Sequence, residues 1–149
     1  MILMILNQKK KNHFGLDSKT CLKIKVNMFK TGLIIGSFFS LLTIVLGAFG
    51  AHALKPHLTE YGQSIYDKAV FYQMFHSIGI FIVTFIGNYY SSINISLIIW
   101  AFVLGIVLFS GSLYILAVTK IKWLGMVTPI GGTFFIIGWG MLFFKLLKA

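Results

Sequence analysis

The chain has no arginine, one cysteine, two prolines and only three acidic residues among 149. With a single Cys21 there can be no intramolecular disulfide, and nothing about redox compartment can be read from it. With one Glu and two Asp there is no carboxylate pair for acid–base chemistry, since Glu60 and Asp67 sit beside Lys55 and Lys68 as solvated charges. Charged residues make up 11% of the chain, against about 25% in a soluble domain. That scarcity excludes an ordinary soluble enzyme and a disordered tail. It also argues against a nucleic-acid partner, although the net charge is +10.

What is present is apolar. Hydrophobic residues account for 58% of the chain. Four stretches are free of Asp, Glu, Lys and Arg and approach the roughly 20 residues needed to cross a hydrocarbon core: 31–54, 69–87, 95–119 and 123–144. Helices are the expected spanning form, because lipid offers no partners for backbone groups and strand alternation is absent. The expected fold is therefore all-α, an integral-membrane antiparallel bundle of four transmembrane helices. The domain is expected over 28–149. Lys55-Pro56 should end the first span, and Ser64-Ile-Tyr-Asp67 fits a loose capping box that would start the second helix about a turn outside the membrane. Lys120 and Lys122 bracket a very short third connection.

Residues 1–27 hold six Lys and one Asp. They read as a Lys-rich extension, either disordered or a start-site artefact with Met28 as the true start. Counted from Met1, the N-terminal tail, second loop and C-terminal tail carry nine Lys, against four in loops one and three. The positive-inside rule then places both termini in the cytoplasm of a plasma-membrane, multi-pass protein. Counted from Met28, the numbers are three and four and the rule decides nothing.

Polar residues inside the spans are the candidate sites, because each is costly in hydrocarbon. In the second span Tyr72, Gln73 and His76 share one helical face. The third carries Ser110, Ser112 and Tyr114, and the fourth Thr128 and Pro129, where a kink is expected. His52 lies near the end of the first. By a rise of about 1.5 Å per residue, His76 lies roughly 12 Å below Lys68, and Ser110 roughly 14 Å below Thr119. These nine residues concentrate toward loops one and three. Two readings are open: interhelical hydrogen bonding, or a polar ligand pocket with His76 as proton carrier. In the first span Gly36, Ser40, Thr43, Gly47 and Ala51 recur at offsets of four, three, four and four, a face suited to close helix packing. No helical His pair, HExxH, CxxC or phosphate loop is present, so no catalytic residue, metal or cofactor is expected.

The segments Gly47-Ala-Phe-Gly-Ala-His-Ala-Leu54, Tyr72-Gln-Met-Phe-His76, Phe109-Ser-Gly-Ser-Leu-Tyr114 and Thr128-Pro-Ile-Gly-Gly132, with Gly138-Trp139, resemble the small four-helix bacterial membrane proteins of the YgdD/YwdK type. That family is uncharacterised and has eukaryotic relatives. The resemblance covers about Met28–Lys148. It implies a plasma-membrane location and no established activity. The leading expectation is a structural or accessory protein that associates through its small-residue helix faces, that of the first span above all, with the lipid bilayer and a homo-oligomer or membrane partner as its contacts. The alternative is a transporter-like or small-ligand-binding protein.

Overall fold

The structure, a computed structural model, describes residues 18–90 and 93–148. The first span is α1 (Ser18–Phe49), which continues through a π-helical turn, Gly50–Leu54, and a single 3-10 turn, Lys55–His57. The second is α2 (Glu60–Tyr89). The third is α3 (Ser96–Gly105), a second π turn at Ile106–Ser110, and α4 (Gly111–Thr119). The fourth is a 3-10 turn, Lys122–Met126, followed by α5 (Thr128–Leu146). All four are long and apolar enough to cross a bilayer, and successive spans run antiparallel.

Several boundaries differ from the expected ones, each for a physical reason. Residues 18–27, assigned to the extension, belong to α1, while 1–17 lie outside the described residues. The second helix begins at Glu60, earlier than the Ser64–Asp67 box. Thr59 is extended and its side chain accepts from the Gly62 N–H at 3.0 Å, so the cap is already made there. The added turns are held by Ile65, Tyr66 and Ala69, which pack on Leu113, Leu116 and Ala117. Asp67 instead accepts from the Gln63 amide at 2.8 Å.

Pro129 does not kink a helix. It stands in the first turn of α5, after the 3-10 segment, where a missing N–H leaves no intrahelical bond unmade. Pro56 is similar at the other connection. It sits in the first turn of a 3-10 helix, and the turn before it has opened to π geometry. Lys120 closes α4 in the left-handed region, φ 59°, with its N–H on the Leu116 carbonyl at 2.8 Å.

Extensive backbone contact occurs only between spans adjacent in sequence: first with second, second with third, third with fourth. The middle spans are accordingly about half buried, 44% and 50%, against 22% for each outer one. One apolar core gathers Phe39, Ile80, Val83, Ile98, Phe102 and Phe135 from all four spans.

The small face of α1 meets α2. A Cβ on Gly32 would collide with Thr84, one on Gly36 would press on the Phe81 ring at 3.1 Å, and one on Gly50 would strike Tyr66. Thr43 is buried and Gly47 lies against Val70, whereas Ala51 is exposed. The seam is thus used inside the chain. What α1 offers outward is large: Ile34, Phe38, Leu41 and Ile44.

Candidate functional site

Gln73 is the most connected polar side chain in the membrane. It is 1% exposed, near the middle of α2. Its Nε2 donates to the Phe39 carbonyl of α1 at 3.2 Å, and its Oε1 accepts from the Tyr114 hydroxyl of α4 at 3.1 Å. The Phe39 carbonyl also accepts from Thr43 at 2.7 Å. Tyr66 donates to the Leu46 carbonyl at 2.8 Å and its ring meets Tyr114 edge-on at 4.9 Å. One amide therefore ties three spans together, which is how a costly polar group is made tolerable in hydrocarbon.

A second tie joins the third and fourth spans. The Ser112 hydroxyl meets that of Thr128 at 3.0 Å and also reaches the Phe109 carbonyl at 3.0 Å. Ser110, at the end of the π turn, is fully buried, and its hydroxyl has no partner among the described residues.

His76 occupies a third place. It is 2% exposed. Its ring stacks on Phe135 with centroids 3.4 Å apart and planes 7° from parallel, and meets Phe102 and Phe75 edge-on at 5.4 and 5.2 Å. Its Nδ1 faces the Tyr72 carbonyl at 2.8 Å.

The nine candidate residues therefore do not line one hydrated pocket. Gln73 pairs with Tyr114, and Ser112 with Thr128, because groups that can bond to each other lower the cost of burial. Tyr72 and His76 face a different space, while His52 and Pro129 are exposed at the span ends. Among the described residues no three His, Cys, Asp or Glu side chains gather as metal ligands.

The space beside His76 is an aromatic groove of about 780 Å³ between α2 and α5. Phe71, Tyr72, Phe75 and His76 form one wall; Phe135, Ile136, Trp139 and Phe143 form the other, with Gly132 and Gly140 between. It exists because the second and fourth spans straddle the third without extensive backbone contact of their own. Residues Phe75, Phe135 and Gly140 carried no sequence signal as site residues. Small residues eight apart beside aromatic ones, on a helix already apolar all round, look the same whether they face lipid or a slot.

Residues 46–132, which include the four motif segments from Gly47 to Gly132, match the family model described as protein of unknown function, DUF423. The chain belongs to the DUF423 family. Relatives are bacterial membrane proteins. The UPF0382 membrane protein SH2409 of Staphylococcus haemolyticus is 45% identical over 119 residues, covering 80% of this chain and 97% of the relative. A UPF0382 membrane protein of Staphylococcus epidermidis is 44% identical with the same coverage. YwdK of Bacillus subtilis is 42% identical over 120 residues, covering 80% and 98%. No solved structure matches. The family is of unknown function; the relatives' names agree with a membrane location, and membership gives no activity.

Proposed function

We propose that this DUF423 protein is a non-enzymatic accessory component of the bacterial plasma membrane that acts by association within the bilayer. One observation carries the reading: the intramembrane Gln73, Tyr114, Ser112 and Thr128 bond across helices, as parts of a frame rather than of a catalytic centre. The short connections, Leu58–Thr59 and Lys120–Ile121, leave little surface outside the bilayer. The contact surface is the large-residue face of α1, because the small-residue face is occupied by α2. Native mass spectrometry from lipid nanodiscs tests this. A defined homo-oligomer, weakened by Ile44→Ala with Leu41→Ala, is the expected result. A monomer at all protein-to-lipid ratios overturns it.

The same reading places both termini in the cytoplasm, on the lysine excess of the tails. Cys21, the sole cysteine, lies in the N-terminal part of α1, ahead of the membrane-crossing stretch that begins at Val26, and reports the side. Membrane-impermeant maleimide should label it in inverted vesicles and not in intact cells. Labelling of intact cells would reverse the topology.

A further inference from the structure

A backbone carbonyl only accepts, so the contact from His76 Nδ1 to the Tyr72 oxygen, 2.8 Å, places the hydrogen on Nδ1. In the neutral ring this leaves Nε2 as a bare acceptor. Nε2 has no hydrogen-bond partner among the described residues, yet the side chain is 2% exposed and forms part of the groove wall. The enclosed side-chain atoms left unpaired among the described residues are Gln63 Oε1 and Ser110 Oγ, so Nε2 keeps accessible surface on the groove. An acceptor facing hydrocarbon is ordinarily satisfied, and at roughly 12 Å below the Lys68 end of the helix water is scarce. The missing partner is a hydrogen-bond donor that arrives through the membrane.

The groove defines that donor further. No Lys, Asp or Glu lines it, so the ligand is neutral. Its donor must reach the depth of His76, which phospholipid headgroups do not. The nearest walls are flat rings: Phe75 and Trp139 stand 5.8 Å apart and Trp139 lies 6.2 Å from His76. Such walls favour an aromatic ring in offset or edge contact. Toward Phe143 the groove is entirely apolar and suits a hydrocarbon tail. A Cβ added at Gly140 would meet nothing within 4 Å, so the slot is open there. A volume of about 780 Å³ is in the range of small-molecule sites.

We infer that the groove between α2 and α5 binds a membrane-soluble quinol, whose ring O–H donates to His76 Nε2 and whose tail runs past Gly140 toward Phe143. The site stands apart from the association surface on α1.

The test uses the full chain in phosphatidylcholine nanodiscs with Trp100→Phe and Trp123→Phe, both exposed positions, so that Trp139 alone reports. Decyl-benzoquinol, held reduced, should quench Trp139 saturably. Its bis-O-methyl ether, which has no donor, should bind about tenfold more weakly, the scale of one hydrogen bond. His76→Phe keeps the ring stack and should weaken the quinol about tenfold while leaving the ether unchanged. Gly140→Leu adds bulk at a position where a Cβ meets nothing within 4 Å and should abolish saturable binding of both. Should His76→Phe not fold, the quinol–ether comparison and Gly140→Leu still decide. Equal affinity of quinol and ether overturns the assignment, as does an unchanged quinol affinity in His76→Phe. Equal binding of decanol overturns the choice of a ring. Burial of Trp139 that follows protein oligomerisation and ignores the quinol overturns it in favour of a second copy of the chain.

Discussion

Gly131→Ala should lower the stability of the bundle by about 3 kcal/mol, at the upper end of overpacking costs. The methyl would land on the Phe109 backbone nitrogen, with the Phe109 Cα and Cβ both at 2.8 Å. A side chain can turn aside from such a contact, but a helix backbone cannot without moving the third span against the fourth. That movement would pull the Thr128 and Ser112 hydroxyls out of their 3.0 Å contact. Gly140→Ala is the matched control. Its methyl enters open space, and alanine is the better helix former by about 0.5–1 kcal/mol, so this variant should equal or slightly exceed the parent. Reversible unfolding in mixed micelles would measure both. Equal stability of the two variants would mean that the two helices are not in backbone contact at this point.

Gln73→Ala should cost about 2–3 kcal/mol. It empties a fully buried site and leaves the Tyr114 hydroxyl without its partner. Tyr114→Phe should cost about 1 kcal/mol, since the ring and its contact with Tyr66 remain. The informative quantity is the coupling between Gln73→Leu and Tyr114→Phe in a double-mutant cycle. Hydrogen bonds between membrane helices average roughly 0.6 kcal/mol with a maximum near 1.7. A coupling in that interval fits a bond between the second and third spans. Strict additivity would remove Gln73 from its role as the tie.

The four spans were legible because charge is so rare here that each gap between lysines and acids marks a crossing. Gln73, His76, Ser110 and Ser112 were legible as buried groups because polar atoms in hydrocarbon must face the protein. Their pairing was not legible. A helical face names a direction but not the neighbour found there, and Gln73 could as well have met Ser110 as Tyr114. The two π turns left no trace in periodicity, since one extra residue shifts a face by about 100° within a segment that is apolar on every side. Pro129 was misplaced because the fourth span looks continuous from Trp123. The chain starts its α-helix only at Thr128, and a proline that would bend a helix interior is harmless at its beginning. The α1 seam was recognised, but not that α2 would cover it, because the partner of a small-residue face is a tertiary property.

The succession of contacts, in which each span packs extensively only on its neighbours in sequence, bears on biogenesis. A ribosome delivers the spans to the bilayer in order. Here every newly inserted helix meets a docking surface already in place on its predecessor, and the first does not depend on the last to close a ring. Assembly can proceed stepwise during synthesis, with short searches and low contact order. The last helix, like the first, is held along one flank, and its departure would leave the first three spans with Gln73 still bonded between them.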